Sequence, residues 1–172
     1  DAIAEHEQPA YDALVESRGG EPKVGPYSLL AHMPEMASHL ESLRTYIRAE
    51  STLPQVLQEL VMITVAREMD CGFIWYAHAA AAREHGVADR IVDATRDREP
   101  LEGLSPEEKT VVDFALELLR ERRVSQVTFD AATEHFGQRG TMTLTNLVAC
   151  YAVLAYNMNT YQLNAPDLSL IH

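Results

Sequence analysis

The chain has 172 residues, with 14 Lys and Arg against 26 Asp and Glu and a formal net charge of −12. That balance argues against a nucleic-acid binder, which needs a basic face for phosphate, and equally against a surface for anionic lipid. At 47% hydrophobic and 23% charged residues the composition is that of a single globular domain rather than a disordered chain.

Apolar residues recur at three and four along most of the chain and seldom at two, so an all-α fold of about six to eight helices is expected. Residues 1–25 are polar, carry Gly19-Gly20, and read as an arm or loosely packed lead-in. Pro34 opens a helix to about Ala49 with Met36, Leu40, Leu43 and Ile47 on one stripe. Ser51 or Thr52 can cap the next helix, Pro54 to Met69, whose run Leu60 to Ala66 is apolar almost all round and should be central. Asp70 is a candidate N-cap for a helix from Cys71 to His85, ended by Gly86.

Ala88 to Asp97 makes a short helix. Ser105-Pro106-Glu107-Glu108 is a helix start, with a serine cap, proline in the first turn and glutamate three residues on. The helix behind it runs to about Arg123. Thr128 is the expected cap of a short helix stopped at Gly137, and Arg139 to Tyr161 forms a long apolar one. Residues 26–165 thus read as one helical domain, and 166–172 as an irregular tail after Ala165-Pro166. Cys71 and Cys150 make no disulfide framework, so a reducing, cytoplasmic setting is the expectation. No signal peptide is visible. The longest apolar run, Leu147 to Tyr156, is about half of the ~20 residues a membrane span requires.

The densest cluster of reactive side chains lies between Glu59 and His85. Cys71, Ile74, Trp75 and His78 stand at i, i+3, i+4 and i+7, on one face of one helix. Glu59 belongs to the preceding helix, joined through a tight turn near Asp70. At ~1.5 Å per residue Glu59 sits roughly 16 Å before that turn and His78 roughly 12 Å after it. A Glu59–His78 contact is therefore natural, whereas Cys71 and His78 stand two turns apart. A carboxylate beside an imidazole fixes the ring's tautomer and makes it a proton donor or acceptor near neutral pH. The same pair also fits a buried contact that only satisfies itself. Cys71, at a helix start, meets the positive end of the dipole, which favours thiolate, while Asp70 opposes it; a small buried apolar role fits Cys71 as well. Trp75 suits either a pocket wall or plain packing, and Cys150 reads as core filler. His78 and His85, like His32 and His39, are seven apart, not the three or four of a helical metal site, so no metal is expected.

The stretch Gly25-Pro26-Tyr27, Leu30-Ala31-His32-Met33-Pro34-Glu35, Leu53-Pro54, Glu59-Leu60-Val61, Cys71, Trp75, His78 and Gly86-Val87 resembles the carboxymuconolactone decarboxylase family, in pattern over roughly residues 22–162. Its most specific element is a glutamate, a cysteine twelve residues later and a histidine seven after that. The resemblance implies the alkylhydroperoxidase D-like helical fold, assembly as trimers or hexamers, and a site between helices, often near a subunit interface. The family's peroxidase branch has a Cys-x-x-Cys pair before the histidine, and here Ile74 stands in the second position. Many decarboxylase relatives carry an acidic residue there.

The resulting expectation is a cofactor-free lyase or isomerase acting on a small lactone or cyclic carboxylic acid. His78, oriented by Glu59, would donate or shuttle the proton. Trp75, Phe73 and Tyr27 would line the pocket, His32 would reach a substrate oxygen, and Cys71 would be a polar wall or weak donor. Two other readings are a thiol-dependent peroxidase of the same fold and a non-catalytic helical oligomer that binds a small ligand. The expected partners are a small-molecule substrate and further copies of the chain, because helices 54–69 and 139–161 have more apolar surface than one small bundle covers. Acidic residues such as Glu107, Glu108, Glu117 and Glu121 sit at surface positions, and Glu59 is the outlier. An acidic shell does not attract a carboxylate, so Arg44, Arg48 or Arg67 would have to offset it locally.

Overall fold

In the computed structural model, which describes residues 3–163, the most apolar helix occupies the centre. The elements are α1 (Gln8–Ser17), α2 (Pro26–Leu30), α3 (Pro34–Ala49), α4 (Gln55–Glu68), α5 (Gly72–Glu84), α6 (Asp89–Asp97), α7 (Pro106–Glu121) and α8 (Gln126–Thr160). No strand occurs among the described residues. Every residue of α4 from Leu57 to Ala66 is buried. A helix without a polar face must be covered on all sides, and α5, α7 and α8 pack around α4 with α6 at its end. Arg120 of α7 clamps Glu68 of α4 through Nε at 2.9 Å and Nη2 at 2.7 Å.

The α4–α5 turn is tight because Asp70 takes a left-handed backbone, φ 50°, a conformation that Asp tolerates better than most residues. Asp70 is therefore not the N-cap that its position suggested. Cys71 holds that place, without a side-chain cap bond, and the Asp70 carboxylate is taken by Arg67 at 3.0 Å and Arg98 at 2.7 Å. Asn159 near the end of α8 donates to the Met69 carbonyl at 2.6 Å and pins α8 to this turn.

The N-terminal lead-in contains a helix, α1, that packs against α3. Its pattern gave little sign because Leu14 is its only buried residue. The short α2 starts at Pro26, after Gly25 with φ 75°. A Cβ at Gly25 would lie 2.8 Å from the Phe73 ring, so close approach as well as backbone conformation demands glycine there. Ser125, not Thr128, caps α8. Thr128 Oγ1 instead donates to Glu117 at 2.6 Å, and the Glu117 carboxylate also accepts from the Ser125 backbone at 2.6 Å. The expected stop at Gly137 is a kink: its φ of 65° and ψ of 177° leave the helix for one residue before α8 resumes. The predicted tail, 166–172, lies outside the described residues. Among those described, no helix is long and apolar enough to cross a membrane.

The start of α7 is as the sequence indicated. Ser105 Oγ accepts from Glu108 N at 3.1 Å, and Glu108 Oε2 accepts from Ser105 N at 2.8 Å. Ser105→Ala should cost about 1 kcal/mol, lowering the melting temperature by about 2–4 °C, as calorimetry would register.

Candidate active site

Glu59 lies mid-way along α4 with 1% of its side chain exposed. A carboxylate this deep must be compensated by charge and hydrogen bonds, and two neighbouring helices supply both. Arg48 of α3 donates through Nη2 to Oε1 at 3.1 Å, and His78 of α5 meets Oε2 through Nδ1 at 2.8 Å. An ionised carboxylate only accepts, so Nδ1 carries the hydrogen and Nε2 is the ring nitrogen left for other work. His78 is 16% exposed. The pairing expected from the α4–α5 hairpin is present, and Arg48, one of three arginines singled out in the sequence, completes it. Arg67 instead serves the surface pair with Asp70.

His78 opens into a cleft of about 240 Å³ lined also by Tyr27, Arg44, Phe73, Tyr151 and Arg18. Tyr27 is buried and donates to Glu41, which is also held by Arg44 through Nη2 at 2.6 Å and Nε at 3.0 Å. Arg18 at the end of α1 lays its guanidinium 3.8 Å from the Tyr27 ring centre. Of the two arginines that line the cleft, Arg44 is paired with Glu41, and Arg18 has no carboxylate partner among the described residues. Tyr151 of α8 meets the His78 ring edge-on, with centroids 5.2 Å apart and planes at 80°. Burial pushes its phenol above the usual tyrosine range, against a smaller opposing pull from Arg48 and Arg44, so it stays a protonated donor.

Cys71, Ile74, Trp75 and His78 share a face of α5, but two clefts divide it. Ile74 and His78 look toward α2 and α8. Cys71 and Trp75 line a separate hollow of about 270 Å³ with Arg67, Asp70 and Arg96. Thus Glu59, His78, Tyr27 and Phe73 come together, while Trp75 and Cys71 stand apart. His32 is exposed between α2 and α3 and does not line the His78 cleft. The sequence reading passed over Tyr151 because it sits inside the apolar run 147–156, with no polar periodicity to mark it. A larger hollow of about 600 Å³ between α4, α6 and α7 contains neither histidine, cysteine nor tyrosine, so size does not mark the site. Among the described residues no three His, Cys, Asp or Glu side chains converge as metal ligands.

Cys71 is buried, and burial raises its thiol above the ordinary range although the backbone N–H groups of Ile74 and Phe73 pull the other way. The helix start does not yield a thiolate at neutral pH, because desolvation outweighs the favourable amides. Cys150 is raised by burial too.

The all-helical bundle, with the α4–α5 hairpin at its centre, has the alkylhydroperoxidase D-like fold. The profile of the carboxymuconolactone decarboxylase family matches residues 34–117 of the chain. Three solved structures share the fold. An uncharacterized peroxidase-related protein from Ralstonia eutropha JMP134, described as an alkylhydroperoxidase AhpD core, is 17% identical. It superposes with a TM-score of 0.74 over 96% of this chain and 87% of that one. An uncharacterized peroxidase-related protein from Silicibacter sp. TM1040 is 16% identical, with a TM-score of 0.70 over 97% and 88%. A protein of unknown function from Agrobacterium tumefaciens is 13% identical, with a TM-score of 0.68 over 77% and 92%. No curated relative matches the sequence.

The native Cys71 thiol should react with iodoacetamide more slowly at pH 7.5 than the same thiol in urea. The native rate should climb only as pH passes above the usual thiol range, read by mass spectrometry of the Cys71 peptide. A fast native reaction at pH 7.5 would contradict the buried, protonated thiol.

Proposed function

We propose that the protein is a cofactor-free lyase or isomerase that moves a proton on a small lactone or cyclic carboxylic acid. The observation that carries this reading is the His78 Nδ1–Glu59 Oε2 contact of 2.8 Å beneath an open cleft. Glu59, anchored by Arg48, fixes the tautomer and orientation of the ring, and Nε2 of His78 gives or takes the proton. Phe73, Ile74 and Leu154 give the cleft apolar wall, which favours loss of a carboxylate by leaving its charge poorly solvated. Arg18, which has no carboxylate partner among the described residues, draws an anionic substrate to the mouth.

A thiol peroxidase is the second reading, favoured by the peroxidase-related descriptions of two fold neighbours. Against it, Cys71 is buried, its thiol is raised, and it faces a different hollow from His78.

In an assay of decarboxylation or isomerisation over a panel of small lactones and cyclic acids, His78→Gln should lower kcat/KM by about 10²–10⁴-fold. Glu59→Gln should do the same and also lower stability, because Arg48 then faces a neutral amide. Cys71→Ser should keep most of the activity. Loss of activity confined to Cys71→Ser would overturn the acid–base assignment in favour of thiol chemistry.

We also propose that the chain is a homo-oligomer, a trimer or hexamer. Met36, Leu43 and Tyr46 on α3 and Met142, Val153 and Tyr156 on α8 are exposed, and α3 and α8 pack side by side. Large apolar side chains on neighbouring helices commonly mark a subunit contact. Light scattering should give three or six times the 19.2 kDa chain mass. Val153→Asp combined with Tyr156→Asp should lower it, and a monomeric wild type would refute the assembly.

A further inference from the structure

Tyr151 presents a polar atom that the fold leaves unused. Its side chain is 2% exposed, and its hydroxyl has no hydrogen-bond partner among the described groups. Arg44 is close enough to act on the phenol oxygen, but it spends Nε and Nη2 on Glu41 and a guanidinium only donates, so the hydroxyl hydrogen of Tyr151 is left without an acceptor. A buried hydroxyl left unpaired costs stability, and its persistence needs a reason. The ring packs edge-on against His78, and both line the same cleft. Tyr27, the cleft's other phenol, already donates to Glu41. The unused donor therefore stands beside the group that handles the proton.

We propose that Tyr151 is the oxyanion donor of this cleft, its hydroxyl hydrogen-bonding the carbonyl oxygen of a small unsaturated ring substrate as negative charge gathers there beside His78. This deepens the acid–base reading and rests on it for the proton step. The carbon–carboxylate bond breaks and its electron pair moves into the conjugated carbonyl. Carbon dioxide leaves, and the enolate oxygen is held by the Tyr151 hydroxyl. Protonated His78 then delivers its Nε2 proton to carbon, the carbonyl re-forms, and the neutral imidazole regains a proton from water. A donor fixed by packing beside the cleft stabilises charge that develops next to it with little reorganisation. The size is adequate: a cavity of about 150 Å³ accepts benzene, and this cleft is about 240 Å³.

The probe is 4-nitrophenol, a planar ring whose anion imitates the enolate and whose binding is read by visible absorbance. Wild-type protein should prefer the anion and lower the apparent pKa of the bound phenol. Tyr151→Phe should bind the anion about tenfold more weakly, the effect of one charge-assisted hydrogen bond. Unliganded Tyr151→Phe should melt at the same temperature as wild type or higher, since it removes an unpaired buried hydroxyl. Equal anion affinity in both proteins, no anion binding by wild type, or a clear drop in the melting temperature of unliganded Tyr151→Phe would each overturn the assignment. The two readings fail separately. If His78→Gln leaves lactone turnover intact while Tyr151→Phe weakens anion binding, the proton assignment falls and the donor stands. The opposite pattern removes Tyr151 alone.

Discussion

Glu59 is the constraint around which the molecule is organised. A carboxylate at the middle of a helix with no exposed face is costly to desolvate, and it is held by Arg48 from one side and His78 from the other. These two contacts tie α3, α4 and α5 together at one point, so the same interaction orders three helices and sets the imidazole. Removing Arg48 would leave the buried carboxylate with the imidazole alone, and removing His78 would leave Oε2 without its donor.

The cleft over His78 takes its walls from segments far apart in the chain. α3 supplies Arg44, α5 supplies Phe73 and His78, and α8 supplies Tyr151. Tyr27 comes from α2, and Arg18 from the end of α1. The stretch that reads as a polar lead-in is therefore part of the wall. Its arginine sets a positive charge at the cleft, stacked on the Tyr27 ring. Gly25 lets the chain pass close enough to Phe73 to seal the cleft on that side.

Helix α5 separates two chemical environments that its sequence places on one face. A stripe at i, i+3, i+4 and i+7 is wide enough for its two edges to meet different neighbours. His78 enters a cleft with two tyrosines and arginines, while Cys71 and Trp75 border α6. The thiol is thereby kept protonated by burial and away from the imidazole. Ile74, one turn before His78, is buried at 3% exposure and packs in the core.

The helical class, the central position of α4, the capped start of α7 and the Glu59–His78 contact were all legible in the sequence, because each depends on local spacing. Periodicity says which residues share a face, and a tight turn makes two helices antiparallel, so register along them brings position 59 opposite position 78. What tertiary structure alone decided is which neighbour each part of a face meets. That choice sent Trp75 and Cys71 to one hollow and His78 to another, and left His32 in solvent. It made Arg48 the partner of Glu59 while Arg67 paired at the surface, and it placed Tyr151, unremarkable in an apolar run, against the imidazole with its hydroxyl unpaired. Helix packing depends on the surfaces of several distant segments at once, and no spacing within one segment encodes it.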